Sequence, residues 1–484
     1  MTSVTSTHAF WLAGRQEHGT ESFEVRHPWD DSLVGTVSVP TEAQVEAAVA
    51  AAVAVQDEFA ATPAYVRAAA LDHVAKRLTE RTEELARLIT AENGKPIKWA
   101  RGEIGRAASV FRWAAEEARR FNSGEGQRLD TDAGGTGRLA ITRRFPKGVV
   151  LGIAPFNFPL NLVAHKVAPA IAVGAPIILK PAPATPISAL VLGEILAETD
   201  LPAGSWSVLT VSNDRMPALV QDKRLPVISF TGSDIVGYQI LDSVPRKHVT
   251  LELGGNAAAV VLADWSSEAD LEWAATRIAT FANYQGGQSC ISVQRVLADA
   301  AVYDRLVEKV VAKVGAQVTG NPADETVDVG PLVNEAAAKR VESWVDEAVA
   351  AGAQLHTGGK REGATYAPTV LSDVPAGVRL ATEEVFGPVL TLTRVEGVDA
   401  AFAAVNDSKF GLQAGVFTHD VQTAFRAHRE LEVGGVIIGD APSYRADQMP
   451  YGGVKDSGVG REGVAFAMAD YTYERVMVLT GLAL

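Results

Sequence analysis

The sequence predicts an α/β protein whose parallel strands are covered by helices on both faces. Three observations carry that prediction. From Gly148 onward, short apolar and β-branched runs alternate with helical stretches. The runs are apolar at every position rather than at every second one, which marks strands buried on both sides. They recur at roughly the spacing of βαβ units, in which a crossover helix returns the chain to a neighbouring parallel strand.

The elements follow in chain order. Thr41 and Gln44 form a capping-box pattern ahead of an Ala/Val-rich helix. Thr62-Pro63 predicts an N-cap with proline at the first helical position. Leu71, Val74, Leu78, Leu85 and Leu88 then recur at helical spacing. Gly94-Lys95-Pro96 stops that run, and a further helix is expected over Lys98–Arg120. The stretch Ser123–Arg143 is rich in Gly and Asp, then alternates through Leu139 and Ile141, and predicts a hairpin or arm. Strands are expected at Val149–Ala154, Pro176–Lys180, Trp206–Val211, Val227–Phe230, Val249–Glu252 and Ala257–Leu262. Helices are expected at Leu160–Val173 and after Thr185-Pro186. A second α/β region is expected from Asp264 to Gly439, beginning with a helix after Ser266–Glu268 and including a strand at Gln294–Leu297.

Composition narrows the function classes. The 484 residues are 47% hydrophobic and 21% charged, a globular mixture. Lys and Arg number 44 against 58 Asp and Glu, a net charge of −14. That charge, with no basic cluster, argues against partners that present phosphate backbones or anionic membranes. A single cysteine excludes an intrachain disulfide and a cysteine-based zinc cage, and no His/Cys/carboxylate spacing suggests a metal. The N-terminus lacks a basic start followed by an apolar core. The longest uncharged run, Gly148–Ala164, holds Pro155 and Pro159 and falls short of the ~20 residues of a bilayer span. A soluble cytoplasmic protein is expected.

Four places in the sequence suggest chemistry. Cys290 follows two glycines in Gly286-Gly-Gln-Ser-Cys290, which suggests a tight backbone approach, and a thiolate is a good nucleophile toward carbonyl carbon. A lone cysteine is more often a small buried hydrophobe. Glu252 ends an apolar strand and precedes Gly254-Gly255, at the end of a sheet where sites assemble. Buried there, it suits a general base, although a turn-capping role is equally open. Asn157, between Pro155 and Pro159, can offer an amide to a developing oxyanion or simply bond its own turn. Phe230-Thr-Gly-Ser233 joins a strand to a helix, a setting that suits a pyrophosphate. Gly232 and Gly237 are five residues apart, so the usual dinucleotide fingerprint is absent.

Taken together, Pro155–Pro159 (PFNFP), Ile178–Ala182 (ILKPA), Phe230–Ser233 (FTGS), Leu251–Asn256 (LELGGN), Gly286–Cys290 (GGQSC), Glu383–Val389 (EEVFGPV) and Pro450–Gly463 (PYGGVKDSGVGREG) resemble the NAD(P)-dependent aldehyde dehydrogenase superfamily in order and spacing. The resemblance runs from about residue 10 to the C-terminus. It implies that Cys290 attacks the aldehyde to give a thiohemiacetal and then a thioester. Asn157 and the Cys290 backbone N–H would hold the oxyanion, and Glu252 would activate the deacylating water. Lys180 matches the lysine at the adenosine ribose of NAD or NADP, and Ser233 with its neighbours the pyrophosphate site. Glu384 matches the residue at the nicotinamide ribose, with Phe386 against the ring and Pro155 and Phe156 lining the pocket. Phe230, Gly232, Gly237, Leu253 and Gly254 are assigned to the same cofactor site. The resemblance also implies a Rossmann-like cofactor domain (1–122 and 145–253), an α/β catalytic domain (254–450) and a small β arm for oligomerisation (123–144 and 465–484). A homodimer or homotetramer is therefore expected. Pro183 departs from the pattern: members preferring NAD usually carry a glutamate there, so NADP is expected to be accepted.

Ser443–Val454 resembles the same stretch of lactaldehyde- and semialdehyde-type members of the superfamily, which implies a small polar aldehyde as substrate. Phe158, Ser289, Ser292 and Arg445 are the expected substrate contacts. Trp113, Tyr284 and Tyr444 are further candidates for an apolar funnel, and Arg106 for an anion clamp. Competing readings are a CoA-acylating semialdehyde dehydrogenase, which usually lacks the base that Glu252 supplies, and a catalytically silent homologue. A cysteine hydrolase is disfavoured because no histidine falls near Cys290.

Overall fold

The two sets of apolar strands form two separate sheets. The structure is a computed structural model and describes residues 7–121 and 124–484. The larger sheet has eight strands in the order Arg15–Glu17, Phe10–Leu12, Trp206–Val208, Ile177–Lys180, Val150–Ile153, Val227–Thr231, His248–Glu252 and Gly458–Val459. Its five central strands run parallel, and the added edges are antiparallel. Val150–Ile153 and Ile177–Lys180 are buried at every position, as strands covered on both faces must be.

The register fixes where the chemistry collects. Ile153 pairs with Lys180 and with Phe230, and Thr231 pairs with Glu252. Residues from four parallel strands therefore share one rim, at the strands' carboxyl ends. The helix Asn161–Val173 crosses behind that rim and is buried over its whole length. The second sheet has seven strands, in the order Gln354–Thr357, Thr369–Ser372, Val389–Val395, Arg295–Asp299, Ala258–Val261, Gln413–Phe417 and Gly435–Ile438. All but the first are parallel. A third, three-stranded antiparallel sheet joins Glu125–Arg128, Leu139–Pro146 and Thr472–Leu479. Among the described residues, no helix is long and apolar enough to cross a membrane.

The Thr41/Gln44 box forms as expected, with both reciprocal bonds present. The Thr62-Pro63 start is displaced. The helix Ala64–Glu80 has Pro63 at its N-cap and no side-chain cap, while the Thr62 hydroxyl donates back to Glu58 O at 3.0 Å. Thr62 closes the preceding helix, Gln56–Ala61, instead of opening the next one.

Candidate active site

A cleft of about 1040 Å³ opens at the shared rim. Pro155, Phe156 and Asn157 line it from the loop after Val150–Ile153, and Lys180 and Pro183 from the end of the next strand. Phe230, Gly232, Ser233, Glu252, Leu253 and Gly254 line it from the other two strand ends. Cys290, Glu384, Phe386 and Arg445 complete the wall from more distant parts of the chain. Gly237, Phe158, Ser289 and Ser292 do not line it. Gly237 packs its helix on Leu253, where a Cβ would lie 2.4 Å from Cδ2. Phe158 stacks on Tyr284 beneath Lys95. The Ser292 hydroxyl closes the end of Glu268–Asn283 by bonding the carbonyls of Phe281 and Ala282, and Ser289 is buried. Arg106 bonds Asp447 at 3.0 Å, Trp113 packs on the larger core, and Tyr444 is half exposed.

Cys290 is half-buried, at the end of a turn in which Gln285, Gly286 and Gly287 all have left-handed φ. The glycine pair serves that turn: a Cβ on Gly287 would lie 2.0 Å from the Gly387 carbonyl oxygen. Burial pushes the thiol up to about 12, with the Tyr451 hydrogen bond acting against it. The Asn157 amide donates to Gln288 O at 2.9 Å, and its Oδ1 is buried without a partner. Its loop is pinned through main-chain carbonyls. Lys95 Nζ donates to Asn157 O at 3.0 Å, and Asn93 Nδ2 to Phe156 O at 2.7 Å.

Glu252 is buried with neither carboxylate oxygen hydrogen-bonded. Desolvation, then repulsion from Glu462, holds its carboxyl well above the usual range. Glu462 is buried too, yet it is held down at about 2, because Lys166 and Arg445 outweigh its desolvation. It accepts from Lys166 Nζ at 3.2 Å and from Arg445 Nη2 at 3.1 Å. Tyr451, whose hydroxyl lies 3.0 Å from Cys290 Sγ, completes the cluster. Lys166, Tyr451 and Glu462 were not singled out in sequence, although the last two fall inside the Pro450–Gly463 motif.

The other arm of the cleft suits a dinucleotide. The volume of the whole cleft sits at the top of the usual range for ligand pockets, about 300–1,000 Å³. Lys180 Nζ donates to Asn213 Oδ1 at 2.6 Å, and burial lowers its amine to about 8. Ser233 caps the helix Asp234–Ser243, and the first turn of that helix lines the cleft with Gly232. Glu384 accepts from Gly255 N–H at 2.9 Å, and burial raises its carboxyl to about 8. Gly254 makes room for it, since a Cβ there would lie 2.6 Å from Glu384 Oε2. Phe386 is held at φ 44°, a strained value for a non-glycine residue, edge-on to Phe156 at 5.9 Å. These donors, acceptors and rings fit NAD or NADP.

The model of the aldehyde dehydrogenase family matches residues 14–477. The chain belongs to that family. It is 42% identical to the 3-sulfolactaldehyde dehydrogenase of Priestia aryabhattai over 483 residues, 99% of this chain and all of that one. Among solved structures, it resembles aldehyde dehydrogenase 21 from Physcomitrella patens in complex with the reaction product succinate. The TM-score is 0.96 at 43% identity, covering 99% of both chains. A second is the NADP-dependent glyceraldehyde-3-phosphate dehydrogenase from Bacillus halodurans complexed with NADP, with a TM-score of 0.94 at 34% identity over 98% of this chain and 99% of that one. The chain is thus an aldehyde dehydrogenase with the fold of these enzymes.

Proposed function

We propose that this aldehyde dehydrogenase oxidises a short, polar or anionic aldehyde to its carboxylic acid with NAD or NADP, through a covalent bond to Cys290. The observation that carries the reading is the meeting of Cys290, Asn157 and an unpartnered, buried Glu252 in the wall of one cleft. Cys290 adds as thiolate to the aldehyde carbon. The second hydrogen of the Asn157 amide, free of Gln288, stabilises the oxyanion of the thiohemiacetal. Lys180, the Gly232–Ser233 turn and Glu384 would hold the dinucleotide, which would supply the acceptor for the hydride that the thiohemiacetal carbon must lose to become a thioester. Glu252 then takes a proton from water, which attacks the thioester and expels Cys290. A carboxyl raised by burial is a stronger base once ionised, as that step needs.

The substrate class rests on the cleft and on the relatives together. Arg445 is buried in the wall with its Nε unpartnered, which suits an oxygen-rich substrate end. The similar enzymes are named for sulfolactaldehyde and glyceraldehyde-3-phosphate, and one is bound to succinate. Reduced cofactor is to be followed by absorbance across a panel of lactaldehyde, semialdehydes and their uncharged analogues, with and without CoA. The reading requires free acid without CoA and the highest kcat/KM on polar or anionic members. Turnover only with CoA, and an acyl-CoA product, would establish the acylating alternative.

A further inference from the structure

Tyr451 is buried, and its backbone is clamped to Glu462 by two hydrogen bonds of 3.0 and 2.6 Å. Its ring packs with Ile291 and Leu412, its hydroxyl lies 3.0 Å from Cys290 Sγ, and the Arg445 guanidinium stacks 3.7 Å from its ring centroid. The phenol has no freedom to turn away from the sulfur. We propose that Tyr451 is a catalytic hydrogen-bond donor that holds the charged Cys290 sulfur, both as it attacks the aldehyde and as it is expelled from the thioester. The proposal rests on Cys290 being the nucleophile.

Either atom of the pair can donate when both are protonated. Once one proton leaves, the ordinary order of acidities, about 8.5 for a thiol and 10 for a phenol, makes sulfur the anion and the phenol the donor. Burial raises both groups, and the phenol stays protonated well above its usual value. Four groups face the sulfur. Glu384 and Glu252 oppose its ionisation, whereas Tyr451 and Arg445 favour it. The cation on the ring face withdraws electron density from the O–H, which strengthens it as a donor. Phenylalanine at this position would keep the packing against Ile291 and Leu412 and remove only the donor.

The chain has one cysteine, so a single iodoacetamide adduct, read by mass, reports Cys290 alone. The alkylation rate is to be followed against pH in the full-length protein and in Tyr451→Phe. Losing a hydrogen bond to a charged sulfur raises the apparent thiol pKa by about one to two units. Alkylation at a fixed pH below that pKa then falls about ten- to a hundredfold, and kcat falls with it. Incorporation of 3-fluorotyrosine at position 451 keeps the volume, makes the phenol a stronger donor and moves the thiol pKa down; this arm decides should the Phe variant not fold. Superimposable alkylation profiles, in either comparison, overturn the proposal. Cys290→Ala is the separate control: aldehyde oxidation that survives it removes the nucleophile reading itself, whatever Tyr451 does.

Discussion

Glu252 keeps two buried carboxylate oxygens without a hydrogen bond, a costly arrangement that a base awaiting water explains. Glu252→Gln removes the base and keeps the shape. A burst of one reduced cofactor per active site is expected, followed by steady turnover slowed about 10²–10⁴-fold, the usual worth of a general base. Unchanged steady turnover at neutral pH would take Glu252 out of the mechanism. Lys180 and Pro183 govern a second prediction, cofactor choice. Pro183 has neither an acceptor for a ribose hydroxyl nor a charge to repel a 2′-phosphate, and relieving one such repulsion is worth ~1–4 kcal/mol. NADP should therefore be used with kcat/KM within about a thousandfold of NAD. The sign with pH follows from Lys180, which burial lowers to about 8. It is an ammonium below that pH and neutral above it, so the NADP-to-NAD ratio of kcat/KM should fall between pH 7 and pH 9, and a flat ratio would exclude Lys180 from the phosphate. Cys290, Glu252 and Lys180 could be picked out in the sequence because each lies within three residues of a glycine or proline in a motif that resembles the family's. Lys166 and Tyr451 were not, since a buried lysine reads as a helix-surface residue and its partners Ser229 and Glu462 lie 63 and 296 positions away.

At the scale of elements, a capping box inside one turn can be read in sequence, a Thr-Pro start can be misplaced by a turn, and a cap borrowed from another helix cannot be read at all. The Thr41/Gln44 box is visible because both partners lie within one turn, and Ser267 caps Glu268–Asn283 in the same way, with Asp270. The helices Asn161–Val173 and Ile187–Leu196 have no side-chain cap of their own. Glu103 accepts from the N–H groups of Leu160 and Asn161, and Glu92 from those of Ile187 and Ser188. Both carboxylates come from helices packed alongside, about 60 to 95 positions earlier, where periodicity marks them as surface residues. Glu103 also bonds Lys95 in a pair with no exposed side-chain surface, and Lys95 in turn holds the Asn157 carbonyl. Glu103→Ala should therefore cost about 3–5 kcal/mol, because it strands a buried ammonium and two helix N–H groups. Thr41→Ala removes one half-buried cap and should cost ~1 kcal/mol. Urea unfolding of the two variants is the comparison; equal midpoints would mean that Lys95 sheds its proton or reaches water.

At the scale of the molecule, the three-stranded sheet is the part with the least core of its own. Thr472–Leu479 lies at its edge and is exposed at every position after the first. Val476 is 60% exposed and Met477 51%, with Val478 and Leu479 beside them. Its partner Leu139–Pro146 pairs with it over eight residues, and the far edge, Glu125–Arg128, is exposed throughout. An edge strand with unpaired backbone groups and a row of apolar side chains invites another strand. Native chains blunt such edges with charges or proline; Thr472–Leu479 carries its charges, Glu474 and Arg475, in the first half and leaves Val476–Leu479 without one. The alternation through Leu139 and Ile141 was legible in sequence, whereas the joining of 123–144 with 465–484 in one arm came only from the family resemblance. What the sequence does not state is what lies against the exposed face. Opposing association is the net charge of −14 on each chain, so the contact has to be apolar and should tighten with salt as repulsion is screened. Light scattering is expected to give an integral multiple of 51.1 kDa. Val476→Glu with Val478→Glu places two further negative charges on each copy of the contact and should shift the population to the single-chain mass, with the cleft and its cofactor affinity intact. A wild-type mass of one chain that does not change with protein or salt concentration would show that this sheet faces water.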